Sequence, residues 1–149
     1  MKISDTVIFD SNILVYANNE ASQFHKKCSG LIKAAVEGNF KAVLTHQNLL
    51  EFYSVITDSR RIEKPISDKD AQDLVANYLN SPLEIIYPNS ETFKYLFILA
   101  EAVNLKGSKI FDVFLAATML SNNISNIITA NTRDFKGFLN IKVMDLKSL

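Results

Sequence analysis

A single cysteine, Cys28, stands in the chain. It leaves no internal disulfide to staple the fold, and it suits a reducing cytosol. No excess of either charge is present, since sixteen Lys and Arg balance sixteen Asp and Glu. A neutral chain has no bulk attraction for nucleic acid, so such a partner would require a bound cation or a local basic rim. No apolar run approaches the length of a membrane span, so no membrane association is expected. Asp5 and Asp10 interrupt the first residues, so no signal peptide is expected and the expected location is cytoplasmic. Repeats, low-complexity tracts and linkers are also missing. The 149 residues, 48% of them apolar, are expected to form one domain over 1–149 with a substantial core.

What is present is an alternation of short β-branched or aromatic segments with helical periodicities. Residues 6–10 read as a buried strand that ends at an acid. Residues 12–18 open a helix capped by Ser11 or Asn12. Residues 24–37 form an amphipathic helix with Leu31, Ile32, Ala35 and Val36 inward, ended by Gly38. A second strand, 41–45, precedes a helix over 47–58. Ser67 and Asp70 mark the start of a helix to about Asn80. Pro82 stops it, and 83–87 is a third strand. Ser90 opens a long helix through Leu105, with Phe93, Leu96, Phe97, Ala100 and Val103 inward. After Gly107, residues 110–122 are a helix whose Ala116 and Ala117 permit close approach. Residues 126–129 are a fourth strand, and 141–145 a fifth at an edge. This order predicts an α/β fold: a three-layer α/β/α sandwich around a mostly parallel sheet of four to five strands. Such sheets bind ligands beyond the carboxyl ends of their strands, near a switch point. Asp10, after strand one, and Asn131 and Asp134, after strand four, fall at that end.

Four acids lie at the edges of apolar segments: Asp10, Glu51, Asp112 and Asp134. A carboxylate in such a place costs free energy unless its charge is compensated. Each has an ordinary explanation taken singly. Asp10 is suited to cap the next helix. Glu51 fits an exposed helix position, although Leu49, Leu50, Phe52, Tyr53, Val55 and Ile56 leave its helix little solvated face. Asp112 suits a first helical turn, yet Leu115, Ala116 and Met119 share its face. Residues 131–134 match a capping-box spacing, with Asp134 in the acidic position. As a set, the four suit a hard divalent cation, which takes oxygen ligands and activates water against a phosphoryl centre. Neither His25 nor His46 lies near a nucleophile or acid motif. His46 reads as a helix-start residue, His25 as surface and Cys28 as structural.

The same residues carry a family likeness over nearly the whole chain. The strand Val7-Ile8-Phe9 followed by Asp10-Ser11-Asn12, the helix segment Asn48-Leu49-Leu50-Glu51-Phe52, the segment Phe111-Asp112-Val113-Phe114-Leu115-Ala116-Ala117-Thr118, and Thr129-Ala130-Asn131-Thr132-Arg133-Asp134-Phe135 occur in order. Together they resemble a PIN domain, most of all the VapC-type toxin ribonucleases. The resemblance implies an endoribonuclease dependent on Mg2+ or Mn2+, with Asp10, Glu51, Asp112 and Asp134 as catalytic metal ligands. It implies that Ser11, Asn12, Thr129 and Asn131 support them. Many relatives carry an acid where Asn131 stands. It also implies an RNA substrate, a cognate antitoxin protein and a homodimer. Lys106, Lys109 and Arg133, beside the acids in sequence, are the candidates for RNA backbone contact.

Other readings remain open at this point. These are a PIN nuclease of RNA processing without an antitoxin, and a non-catalytic nucleic-acid-binding module. A phosphatase that uses Asp10 as nucleophile would want a second acid where Asn12 stands, and Asn12 cannot donate its proton. A receiver-like signalling domain would want two adjacent acids after strand one, which Asp10-Ser11-Asn12 does not supply.

Overall fold

The computed structural model describes residue 3 and residues 5–149. Strand β1 (Val7–Phe9) leads into helices α1 (Ser11–Ala17) and α2 (His25–Val36). Strand β2 (Ala42–Leu44) is followed by α3 (His46–Ile56) and α4 (Asp68–Leu79). Strand β3 (Glu84–Ile85) precedes α5 (Thr92–Ala102) and α6 (Lys109–Ser121). Strand β4 (Asn126–Thr129), a 3-10 turn (Thr132–Asp134), strand β5 (Lys142–Asp145) and a second 3-10 turn (Leu146–Ser148) follow. Among the described residues, no helix is long and apolar enough to cross a membrane.

The five strands pair in the order β3-β2-β1-β4-β5, and every pair is parallel. Parallel neighbours need crossovers, and helices supply them on both faces. Successive strand residues point to opposite faces. Val7, Phe9, Leu44 and Ile128 therefore join one core, with Leu14 of α1, Leu49 and Phe52 of α3 and Ala71 of α4. Ile8, Val43 and Ile127 join the other, with Leu96 and Leu99 of α5 and Val113, Ala116 and Ala117 of α6. The result is the three-layer α/β/α sandwich read from the sequence. From β1 the chain builds outward through β2 and β3, then crosses to β4 and β5 on the other side. The switch point lies between β1 and β4, and their carboxyl ends open there.

Local chemistry fixes the element ends near this opening. Asp10, extended at φ −66°, caps α1 by accepting from the Ser11 N–H; of the caps offered by Asp10, Ser11 and Asn12, the chain uses the acid. Thr45 and Asn48 form a reciprocal capping box at the start of α3. Gly38, at φ +81°, ends α2 in the left-handed region that glycine adopts without strain.

Several expected faces and bounds differ. In α2 the buried residues are Cys28 and Ala35, while Leu31 and Ile32 are partly covered and Val36 is 38% exposed. This helix packs on α1 and sends only Cys28 and Ala35 into the core beside the strands, so its buried stripe is narrow. Strand β3 is only two residues long, at the sheet edge, because its register reaches only Val43 and Leu44 of β2. The stripe of α5 is displaced: Leu96 and Leu99 are buried, whereas Phe93 and Phe97 are 60% and 63% exposed. Leu96-Phe97-Ile98-Leu99 is apolar all round, so periodicity leaves its face ambiguous; packing on α6 decides it. Residues 131–134 form no capping box, since the 3-10 turn has no side-chain cap.

The α5 register has a measurable consequence. Leu99→Ala is expected to cost about 2–5 kcal/mol in chemical denaturation, as buried Leu truncations do. Phe97→Ala, measured at protein concentrations low enough to keep the chain monomeric, is expected to cost less than about 1 kcal/mol. The reverse order would restore the face first read from the sequence.

Candidate active site

The register of β1 with β4 pairs Phe9 with Ile128, and the Asp10 N–H continues the ladder to the Ile128 carbonyl at 3.0 Å. The next residues on the two strands, Asp10 and Thr129, are thereby brought side by side. Thr129 donates its hydroxyl to Asp10 Oδ2 at 2.7 Å, and Asn12 Nδ2 donates to the same oxygen at 3.0 Å. The Ser11 N–H donates to Asp10 Oδ1 at 2.8 Å. Asn12 also accepts from the Ala130 N–H at 3.2 Å, and Thr129 accepts from the Asn131 N–H at 2.9 Å. Three hydrogen bonds thus fix a carboxylate that is only 6% exposed.

The second acid arrives on α3. Glu51 accepts through Oε2 from the Ser11 hydroxyl at 3.0 Å and through Oε1 from Gln47 Nε2 at 3.0 Å. Ser11 therefore links Asp10, by its backbone, to Glu51, by its side chain. Asp112 lies in the first turn of α6 and Asp134 in the 3-10 turn after β4. Asp10 and Asp112 each lie within the field of Glu51 and Asp134, and Asp112 also within that of Asp10. Burial, followed by weaker repulsion from Glu51 and Asp134, pushes Asp10 up to about 6 against its Thr129 and Ser11 hydrogen bonds. Burial, then repulsion from Asp134, pushes Asp112 up to about 6; Lys109 opposes this, while Asp10 and Glu51 add to it. The fold collects negative charge that Lys109 offsets only in part.

The predicted supporting residues Ser11, Asn12 and Thr129 are brought into this network. Asn131 enters only by its backbone N–H, and its side chain caps nothing. Of the three candidate cations, Lys106 and Arg133 are exposed. Lys109 is turned inward: its Nζ donates to the Asp134 carbonyl, lies 3.8 Å from Asp112 Oδ2, and sits 5.1 Å over the Phe138 ring. It joins α6 to the turn after β4. Gln47 was missed in the sequence, although its place four residues before Glu51 on one helix face was a usable signal. Cys28 is buried and its thiol is pushed up to about 11, chiefly by burial, so it stays protonated and inert. His46 opens α3 with its ring edge-on to Tyr87, and His25 is half-buried beside the Tyr16 carbonyl; neither enters the acid network.

The donor set is all oxygen, which suits a hard divalent cation. Among the described residues, no three acidic, His or Cys side chains stand close enough together to hold a metal ion between them. An open set still fits an ion such as magnesium, which keeps several waters and takes one or two carboxylates. The burial of Asp10 and Asp112 beside other acids, only partly offset by Lys109, points the same way.

A carboxyl raised on folding holds its proton more tightly in the folded state. Its contribution to stability is present below the unfolded value, near 3.8, and is lost as pH rises through about 6. In chelator, Asp112→Asn is therefore expected to melt higher than the wild type at neutral pH, with the gap closing toward about pH 4. A gap independent of pH, or a lower melting point for the variant at neutral pH, would contradict the burial and repulsion described.

Comparison with known proteins fits this geometry. The PIN domain family model matches residues 7–138. Ribonuclease VapC43 of Mycobacterium tuberculosis is 30% identical over 115 residues, covering 76% of this chain and 78% of that protein. Ribonuclease VapC48 of the same organism is 25% identical over 138 residues, covering 92% and 94%. Among solved structures, VapBC2 from Rickettsia felis, bound to a DNA fragment from its promoter, aligns with TM-score 0.69 at 19% identity, covering 95% of this chain and 98% of that one. The chain belongs to the PIN-domain family, and its α/β/α sandwich is that family's fold.

Proposed function

We propose that this protein is a divalent-metal-dependent endoribonuclease and the toxin of a VapBC-type toxin–antitoxin pair. The observation that carries the reading is the convergence of four acids at the switch point of the sheet, where burial and the neighbouring carboxylates raise Asp10 and Asp112. Relatives that bear the name ribonuclease VapC support RNA as the substrate.

Asp10, Glu51, Asp112 and Asp134 would hold Mg2+ or Mn2+, one or two of them directly and the others through bound water. When bound, the ion neutralises charge on the scissile phosphodiester and lowers the pKa of a water. The chain's own groups do the rest. Thr129 and Asn12 hold Asp10 Oδ2, and Ser11 keeps Asp10 and Glu51 in fixed relation. The carboxylates accept hydrogen bonds from the attacking water and raise its basicity. Attack in line leaves a 5′-phosphate and a 3′-hydroxyl. Lys106 and Arg133 contact the RNA backbone from the rim, which positions the strand without reading its sequence. Lys109, turned inward, balances part of the acidic charge first.

Leu50, Phe93, Phe97 and Phe111 are large apolar side chains left 60–70% exposed. Leu50 and Phe111 border a hollow of about 580 Å³ beside Glu51. Exposed apolar surface of this kind marks protein contacts, and we assign this face to a second copy of the chain. A cognate antitoxin would be the regulating partner, and the cytoplasm the site of action.

The test is incubation of partner-free protein with total RNA in Mn2+ or Mg2+, against EDTA. Cleavage in metal that EDTA abolishes is expected. Cleavage indifferent to EDTA, or intact RNA with folded protein in both metals, would refute the proposal.

A further inference from the structure

Gln47 lies one turn before Glu51 on α3, so the two side chains meet. Its Nε2 donates to Glu51 Oε1 at 3.0 Å and to the Phe111 carbonyl oxygen at 2.9 Å. Phe111 is the residue immediately before Asp112 in the first turn of α6. One amide therefore ties the acid of α3 to the peptide that carries the acid of α6. The other oxygen of Glu51 is held by Ser11, so both of its oxygens are engaged.

The amide's own Oε1 is buried and has no donor among the described residues. Turning the amide over would aim that oxygen at a carboxylate and a carbonyl, where no proton is available. The orientation that leaves Oε1 unpaired is the one that serves Glu51. A buried acceptor without a donor is rare in native proteins and calls for a reason of this kind.

Resting on the nuclease reading above, we propose that Gln47 is a positioning residue, which sets Glu51 against the Asp112 turn so that both carboxylates face one divalent cation. Its action is through Glu51, and it touches neither substrate nor ion.

The test uses Gln47→Met, which keeps length and apolar packing but cannot donate. Mn2+ binding to the full chain is measured by isothermal titration, beside kcat and KM on RNA and the thermal midpoint in chelator. Mn2+ affinity is expected to fall about 10- to 100-fold, the range for groups that orient metal ligands. The kcat falls while KM for RNA holds. The midpoint in chelator is unchanged or higher, because the unpaired Oε1 is gone; a merely structural glutamine would lower it. Gln47→Asn, which keeps the amide but is too short to bridge, serves if the first variant does not fold. Wild-type Mn2+ affinity in either folded variant overturns the role of Gln47 alone. A wild type that binds no Mn2+ and leaves RNA intact overturns the nuclease reading and this role together.

Discussion

Asp112→Asn is expected to lose RNA cleavage by more than about a hundredfold, which is the upper range for groups that only support a metal ligand, while remaining folded. Asparagine has the same shape, so the packing of Val113, Leu115 and Ala116 beneath it is untouched. The charge is what the substitution removes. In the folded chain that charge is opposed by burial and by Asp134, and only Lys109 compensates it. A protein selected for stability alone would gain from the asparagine, so the carboxylate is explained by what it holds. The check pairs single-turnover cleavage in Mn2+ with a melt in chelator. Lost cleavage with a higher melting point at neutral pH is the expected pair. Full activity in the variant would remove Asp112 from the site.

Thr129→Val should damage fold and site together. The Thr129 hydroxyl is fully buried, donates to Asp10 and accepts from Asn12 and from the Asn131 N–H. Valine keeps the shape and removes all three hydrogen bonds. Stranding these polar groups is expected to cost about 2–4 kcal/mol in denaturation. Activity should fall by about 10- to 100-fold, as the Asp10 carboxylate loses an orienting donor. Thr129→Ser should recover most of both losses. A valine variant of wild-type stability and rate would show that the strand-end hydrogen bonds do not set the site.

The strands and most helices were legible because their signals are local. Asp10 ends a buried run, Ser67 accepts from the Asp70 N–H as its spacing suggested, and Asn126–Thr129 is the strand expected. The gathering of the acids was legible only as a set, since each fits an ordinary position when read singly. What escaped depends on partners distant in sequence. Phe93 and Phe97 lie outside because α5 packs on α6 through Leu96 and Leu99. Lys109 turns inward because the Asp134 carbonyl waits 25 residues further on. Gln47 gains its second acceptor from Phe111, which the sequence places 64 residues away.

The central claim is that Asp10, Glu51, Asp112 and Asp134 surround one cation position at the carboxyl ends of β1 and β4. Crystals grown in chelator and soaked in Mn2+, with diffraction recorded at the manganese edge, test it most directly. The account predicts an anomalous peak among these four side chains, coordinated by oxygens of at least two of them. No peak there in a fully soaked crystal, or a peak held by other residues, would contradict it.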